Sequence, residues 1–270
     1  MSAGVLFDAP GPRTIARHRA YSIAGAVALA LLLAFALWRL NERGQFEYDK
    51  WEPFLTPEYI SALLIDGVLT TLQMAFTAVI GAVVLGVLLG VGKLSDHAFI
   101  RWPSWAVVEF FRAVPLLLLM IFIFFTYGVS RGDGGAYWSV VIALTLYNGA
   151  VLGEVFRAGI LAVPKGQAEA AYAIGMRKTQ VMQIILLPQA VKIMIPAIIS
   201  QMVVAVKDTS LILIVFGVGL TKILKQLPLS FQNVVPTILV IAALYIVTNL
   251  ALTAIANVAQ RRFVGERPVL

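Results

Sequence analysis

Residues 69–92 read LTTLQMAFTAVIGAVVLGVLLGVG, a stretch without a charged side chain. Crossing the roughly 30 Å of hydrocarbon in a bilayer takes about 20 apolar residues in a helix. In lipid, only helices and closed barrels satisfy all their backbone hydrogen bonds, and this stretch lacks the alternation of a barrel strand. It therefore predicts a transmembrane α-helix.

Five further apolar runs of this kind lie along the chain. The predicted transmembrane helices are residues 21–38, 69–92, 114–129, 137–154, 193–220 and 235–258. Of the 270 residues, 60% are hydrophobic and 13% are charged, and the mean hydropathy is +0.89. These values exclude an ordinary water-soluble domain. The sequence predicts an all-α integral membrane protein with six transmembrane helices.

The basic residues predict how these helices are oriented. With six crossings, 14 of the 21 Lys and Arg residues fall on the side that also holds both termini. Cytoplasmic segments carry an excess of Lys and Arg, so we assign this side to the cytoplasm. The same bias accounts for the net charge of +7, and nucleic-acid binding is not needed to explain it. We expect a multi-pass protein of a bacterial plasma membrane with cytoplasmic N and C termini.

We divide the chain into four parts. Residues 1–20 form a basic cytoplasmic tail, 21–63 a first helix with an outer interfacial segment, 64–260 the main transmembrane domain, and 261–270 a cytoplasmic C-terminal tail. The first apolar run is longer than the core of a secretory signal and lacks an Ala-x-Ala cleavage site, so we expect this helix to be retained. Cysteine is absent, which excludes disulfides and thiolate sites.

The sequence contains no recognisable energy source or catalytic set of residues. Gly92-Lys93 resembles the end of a phosphate-binding loop, but the glycine five residues earlier and the Ser or Thr after the lysine are missing. His18 and His97 lie far from any carboxylate cluster, so we expect no metal site. An intramembrane enzyme would need a buried Ser-His or paired-Asp set, which the predicted helices lack. We therefore expect neither an enzyme nor a cofactor in this chain.

Four consecutive polar residues, Lys207-Asp208-Thr209-Ser210, interrupt the apolar run 193–220. Charges at this depth are costly, and a locally broken helix can line a cavity there. Lys207 could bind the carboxylate of a free amino acid and Asp208 its ammonium, while both hydroxyls hydrogen-bond. Alternatively, Lys207 and Asp208 pair with each other or with neighbouring helices in a purely structural role.

Two further polar residues are candidates for substrate contact. Arg112 lies three residues before Pro115, and either occupies the cytoplasmic membrane edge or faces a cavity from a break in the chain. In the second position it could receive a side-chain carboxylate. Asn148, near the middle of a predicted helix, could line a pathway or a packed interface. Glu154 and Arg157 are three residues apart and are expected to form an ion pair.

A spaced motif occupies the polar, basic segment at about 161–189. Residues 166–175 read GQAEAAYAIG. Nine intervening residues separate Gly175 from Ile185-x-Leu187-Pro188. Alanines along one side and a glycine at the end predict a short helix suited to docking into another protein.

This motif resembles the EAA loop of the permeases of ATP-binding-cassette importers. Over about 64–260 the chain resembles their polar amino acid subfamily, with further matching segments at 67–73, 112–117, 154–160 and 207–211. Ala113-Val114 replaces the usual Gly-Thr, which puts in doubt a flexible or hydroxyl-bearing role there. The resemblance implies the five-helix core of a type I importer, to which this chain adds its first helix.

The resemblance also implies partners and site residues. The residues implied to seat in a separate ATPase, which binds ATP and magnesium, are Gly166, Glu169, Ala170, Ala171, Gly175 and Pro188. By their match to a Lys-x-Thr-Ser-Leu element, the four residues from Lys207 to Ser210 are implied to contact substrate. An extracellular or lipid-anchored substrate-binding protein and a second permease chain complete the importer. The second permease is expected to be unlike this one, as in the actinobacterial glutamate permeases that the chain resembles in particular.

The expected substrate is glutamate or aspartate. A basic substrate would call for an additional buried carboxylate, whereas only apolar residues follow Ser210. Glutamine or another polar amino acid is the alternative on the same machinery. An ion-coupled secondary transporter is the rival class, against which the EAA motif argues.

Overall fold

A computed structural model describes residues 11–214 and 217–264, and defines their side chains except those of residues 133, 212–214, 259 and 261–264. The described elements are all helical, which confirms the all-α fold. Two compact units comprise Met1–Glu52 and Pro53–Leu270. The parts of the expected tails at 1–10 and 265–270 lie outside the described residues.

The first unit is dominated by helix α1, Pro12–Glu42. At 1.5 Å per residue α1 is about 46 Å long, more than the hydrocarbon thickness of a bilayer. None of its residues is buried, and apolar side chains are exposed all around it, as suits a helix surrounded by lipid. After Gly44, with φ +63°, the chain turns so that the Trp51 indole N–H donates to the Gln45 carbonyl at 2.9 Å.

The described part of the second unit is built from eight helices. They are α2 Pro57–Lys93, α3 Ala98–Ala113, α4 Leu116–Arg131, α5 Gly132–Leu161, α6 Lys165–Ala173, α7 Lys178–Leu211, α8 Leu220–Phe231 and α9 Val234–Val264. Within the described residues, five helices are long and apolar enough to cross a membrane: α1, α2, α5, α7 and α9. The count rises to six if α3 and α4, which are bent by 100° at their break, form one span.

Glycines bring α2 and α5 into close contact. A Cβ on Gly86 would lie 2.7 Å from Cβ of Leu152, and one on Gly90 would lie 2.8 Å from the carbonyl oxygen of Gly153. Small residues four apart allow such an approach between membrane helices. This packing fixes the ends of α2 and α5, where charged side chains meet.

Helix α7 differs from the predicted span 193–220. It begins at Lys178, because the chain accommodates Pro188 with a wide π-helical turn at Val181–Leu186 instead of breaking. At its other end the α-helix tightens into a 3-10 turn, Thr209–Ile214, which agrees with the expected break at the polar residues. The segment at about 161–189 is therefore the short helix α6 followed by the first turns of α7.

The core of the second unit is centred on α5. One apolar cluster around Met120 joins α2, α4 and α5, and another around Met194 joins α2, α5 and α7. In the most apolar window of α5, 61% of the residues are buried, against 11% for α7 and 6% for α9. In this single chain α7 and α9 thus present most of their apolar surface outward.

Candidate functional site

Helix α6 ends in a glycine whose conformation is defined by hydrogen bonds. Gly175 has φ +82°, and its N–H donates to the Tyr172 carbonyl at 2.9 Å. The next N–H, of Met176, donates to the Ala171 carbonyl at 3.1 Å. This pair of bonds is a Schellman motif, which satisfies the last carbonyls of a helix and favours glycine in the left-handed position. The glycine of the sequence motif therefore terminates α6.

One side of α6 is anchored and the other is exposed. Ala171 is buried, whereas Glu169 and Ala170 are exposed. Tyr172 is 47% exposed, and Ile174, directly after the helix, is 80% exposed. A carboxylate beside large apolar side chains is a surface suited to a protein partner.

The other two residues of the motif play different structural parts. A Cβ on Gly166 would meet no atom within 4 Å, so packing within this chain does not require glycine there. Pro188 lies in α7, next to Gln189, whose side-chain amide donates to the Gln167 Oε1 atom at 3.4 Å and to the Ile185 carbonyl at 2.9 Å. This amide links α7 to α6.

An ion pair joins the start of α7 to the loop between α2 and α3. The Lys178 ammonium bonds the Asp96 carboxylate. The pKa of the Asp96 carboxyl is lowered below its ordinary value, mainly by this hydrogen bond and further by the positive charge of Lys178. Both side chains are exposed, so the pair is screened by solvent.

Lys207 to Ser210 lie where α7 tightens into its 3-10 turn. The Thr209 hydroxyl is buried and donates to the Val206 carbonyl at 2.6 Å, while the Ser210 hydroxyl donates to the Lys207 carbonyl at 2.7 Å. In the part of the chain that the structure describes, neither Lys207 nor Asp208 forms an ion pair. The pairing that a purely structural role requires is thus not made among the residues that the structure describes.

Lys207 also belongs to an exposed stripe on α7. Ile193, Ala197, Ser200, Val204 and Lys207 are all exposed and follow each other at intervals of four, three, four and three residues. Such spacing places side chains on one face of a helix that packs against another helix. The stripe carries a charged residue on a helix that is long and apolar enough to cross a membrane, and contact between a charge and lipid is unfavourable.

Asn148 lies inside the bundle. It is 1% exposed, and its amide donates to the Leu144 carbonyl at 2.9 Å. The Gln201 amide of α7 donates to the Asn148 Oδ1 atom at 2.5 Å. In this conformation the hydrogen-bonding groups of Asn148 are engaged by the protein.

A network of five charged side chains joins the ends of α2, α3 and α5. Lys93, whose side chain is 6% exposed, forms an ion pair with Glu154 and lies 3.4 Å from Glu109. Arg112 lies 3.6 Å from Glu109. The expected pair of Glu154 and Arg157 is present at 2.9 Å.

The network lines a cavity of about 760 Å³. Its lining residues are Lys93, Arg101, Trp102, Trp105, Glu109, Arg112, Glu154 and Arg157. Sequence reasoning identified Arg112 and the pair of Glu154 and Arg157, but missed the central role of Lys93 and the presence of Glu109. The available signal was a charged residue at the end of each of three apolar helices.

Within the described residues Arg112 pairs with Glu109, and no hydrogen bond joins it to Lys207. Helices α5 and α7 are antiparallel, and the bond between Asn148 and Gln201 sets their register. Glu154 lies six residues, about 9 Å, from Asn148 towards α6, and Lys207 lies about 9 Å from Gln201 in the opposite direction. Glu154 and Lys207 are thus about 18 Å apart along the helix axes.

Comparisons with known proteins agree with this architecture. Residues 82–265 match the family described as binding-protein-dependent transport system inner membrane component. The chain is 39% identical over 234 residues to the glutamate transport system permease protein GluD of Corynebacterium glutamicum, covering 84% of this chain and 85% of the relative. It is 34% identical over 203 residues to the probable glutamine ABC transporter permease protein GlnM of Bacillus subtilis, covering 74% and 93%.

A solved structure shares the fold. The chain is similar to a crystal structure of an amino acid ABC transporter with histidines, with a TM-score of 0.68 and 27% identity. The match covers 76% of this chain and 95% of that chain. The helical arrangement described above is therefore found in an amino acid transporter.

Proposed function

The chain belongs to the family of binding-protein-dependent transport system inner membrane components, and we propose that it is the permease subunit of an ATP-binding-cassette importer for glutamate or aspartate. Permease subunits of this kind carry the substrate across the membrane, while a separate subunit hydrolyses ATP. The observation that carries the proposal is α6, an exposed helix with a defined glycine end in the matched region. We infer that α6 faces the cytoplasm, that both termini lie on the same side, and that α4, which follows the bent helix α3, forms the sixth crossing.

We propose that α6 seats in the ATPase. Its exposed residues Glu169, Tyr172 and Ile174 form the docking surface, while Ala171 holds the helix on the permease. Closure of an ATPase dimer on ATP would displace α6. The amide bond between Gln167 and Gln189 would pass this displacement directly to α7.

A second permease chain is proposed to cover the exposed stripe of α7. Lys207, Val204 and Ser200 lie on that stripe, and an exposed lysine at membrane depth is unfavourable against lipid. A facing subunit would enclose a pathway between the two stripes. We propose that this subunit is a different permease, and that a substrate-binding protein delivers the amino acid on the outer side.

We assign substrate contact to the polar turn of α7. Lys207 would bind a carboxylate, Asp208 the ammonium, and Ser210 an oxygen of the substrate. This assignment is supported by the absence of an ion pair at Lys207 and Asp208 within the described residues. Arg112 lies beside Glu109 in the charged cavity and Asn148 is engaged by the protein, so neither is assigned to the same site.

Glutamate and aspartate are favoured over glutamine. The relative with 39% identity is named for glutamate transport, and the one with 34% identity is named for glutamine. Lys207 in the polar turn can bind the α-carboxylate, which glutamate and glutamine share. Glutamine import on the same machinery is therefore the second candidate function.

Uptake by proteoliposomes tests the proposal. The purified complex with its binding protein should take up labelled glutamate when ATP is supplied, with aspartate as the effective competitor. Preference for glutamine would retain the importer and discard the acidic substrate. Uptake that ignores ATP but stops when an ion gradient is collapsed would instead establish a secondary transporter.

Two variants test the assigned parts. Glu169→Lys should leave the chain in the membrane while it releases the ATPase and stops uptake, and Glu58→Lys, the same change at an exposed residue outside α6, should not. Asp208→Asn should abolish uptake without an equal loss of protein in the membrane. Normal uptake by the Glu169 variant, or parallel loss of uptake and protein in the Asp208 variant, would contradict the respective assignment.

A further inference from the structure

The charged cavity is lined by residues of three helices, none of which is α7. The lining residues come from the end of α2, from the length of α3 and from the last turns of α5, and include no residue of α7 or α9. It is thus separate from the turn at Lys207 to which substrate contact is assigned. The cavity has a volume of about 760 Å³, within the range of sites that hold small molecules.

The cavity carries an excess of positive charge. Its ionisable lining residues are Lys93, Arg101, Arg112, Arg157, Glu109 and Glu154. Four cations and two carboxylates give a net charge of 4 − 2 = +2. Arg101 is held by main-chain oxygens, with its Nη1 atom 3.2 Å from the Ser95 carbonyl and 3.5 Å from that of Asp96. An anion would balance this excess.

Helix α3 places the cavity at a membrane surface. It is bent by 100° from α4, so it cannot follow α4 across the bilayer and lies close to the membrane plane. Trp102 and Trp105, at the rim of the cavity, are 64% and 49% exposed, and Phe99 and Phe110 of the same helix are 75% and 59% exposed. Exposed tryptophans beside basic residues are typical of the headgroup region.

We propose that this cavity binds the headgroup of an anionic phospholipid. The phosphodiester would accept hydrogen bonds from Arg101 and Arg112, the two tryptophans would flank the glycerol region, and the acyl chains would lie along the exposed apolar side chains of α3. Basic pockets between transmembrane helices near a membrane surface bind such headgroups. An acidic amino acid in transit would also suit the charge, but the absence of α7 from the lining and the exposed tryptophans favour the lipid.

Native mass spectrometry of the purified full chain tests the proposal. Phosphatidylglycerol and phosphatidylcholine with identical acyl chains are titrated, and the chain should bind phosphatidylglycerol with clear preference. The double variant Arg101→Gln with Arg112→Gln should weaken phosphatidylglycerol binding about 30-fold, at roughly fivefold per arginine. The control, Arg13→Gln with Arg17→Gln, removes the same charge from exposed, solvent-screened positions of α1 that do not line the charged cavity, and should change binding by less than about threefold.

A gain-of-binding variant separates the proposal from misfolding. Glu109→Gln removes a carboxylate and raises the net charge of the cavity to +3, so it should tighten phosphatidylglycerol binding about fivefold. Equal binding of both lipids, or equal loss in the cavity variant and the α1 control, would overturn the proposal. Displacement of the lipid by millimolar glutamate would place the cavity on the transport path, and displacement by glycerol 3-phosphate would make a soluble phosphate ester the ligand; either would overturn it.

Discussion

Replacement of Gly175 by alanine isolates the contribution of the end of α6 to ATPase docking. Gly175 has φ +82°, and a Cβ built on it would meet no atom within 4 Å. The added methyl group therefore creates no clash within the chain. What changes is the backbone energy, because an L-residue is disfavoured in the left-handed region by roughly 1 kcal/mol.

The effect on docking follows from how weakly α6 is anchored. The helix is nine residues long and is exposed apart from the anchor Ala171 and a half-buried Ala168, so its end can unwind to relieve strain. At RT of about 0.59 kcal/mol, a penalty of 1 kcal/mol lowers the fraction of molecules in which the end of α6 is ordered by up to about fivefold. We expect the Kd for the ATPase to rise by up to about fivefold, with uptake falling at limiting ATPase concentration.

The measurement is ATPase binding to the permease complex in lipid nanodiscs, followed by ATP-dependent uptake in proteoliposomes. Gly134→Ala is the control, because it adds the same methyl group outside α6, at a position without positive φ and without an atom within 4 Å. Gly175→Asn should lose less affinity than Gly175→Ala, since asparagine tolerates the left-handed region better than alanine.

Two results would refute this reasoning. If Gly175→Ala and Gly134→Ala bind the ATPase equally well, the Schellman end of α6 does not matter for docking. If Gly175→Asn is as damaging as Gly175→Ala or more so, the ATPase excludes any side chain at this position, and the backbone energy is not the cause.

Three further changes test the packing and the charges. Lys93→Met and Glu154→Gln should each lower the thermal stability. The double variant should be less destabilised than the sum of the two single variants by about 2 kcal/mol, because either change alone already removes the ion pair. Additive effects would show that the two residues are not coupled. Gly90→Ala should destabilise the chain by about 1–3 kcal/mol through overpacking, whereas Gly25→Ala, with no atom within 4 Å, should be neutral in the same thermal melts. Because the pKa of Asp96 is lowered, its ion pair with Lys178 stabilises the start of α7 above about pH 4, and this stabilisation is lost as the pH falls through the lowered pKa. Asp96→Asn should therefore remove this pH-dependent step from hydrogen exchange in the first turn of α7. An unchanged step would assign it to another group.

Features encoded by neighbouring residues could be predicted from the sequence. The spacing around Glu169 predicts a short helix that ends at Gly175, and the structure has α6 with its glycine end. Small residues at 86 and 90 predict close helix packing, which the contacts with α5 confirm. The apolar runs predict the all-helical membrane fold, and the family match confirms the resemblance.

Features that depend on distant residues or on backbone adjustment could not be predicted. The apolar run predicts that the fifth span begins at residue 193, but the wide turn at Val181–Leu186 carries the helix past Pro188, and α7 begins at Lys178. Lys93 and Glu154 are separated by 61 residues, and only the packing of α2 on α5 brings them together. The six-span count, the orientation, the domain limits and the substrate contacts stay predictions.

The position of α6 between α5 and α7 determines how a movement of the docking helix would spread in the proposed importer. From the end of α5 it is seven residues, about 10 Å, to Glu154 and the charged cavity. From the start of α7 it is 29 residues, about 44 Å, to Lys207, and this path includes a wide π-helical turn that can absorb displacement. A push on α6 would therefore reach the charged network through a short, regular helix and the polar turn through a long, adjustable one. Because the bond between Asn148 and Gln201 ties the two helices between these points, its opening would decide whether the two ends move together.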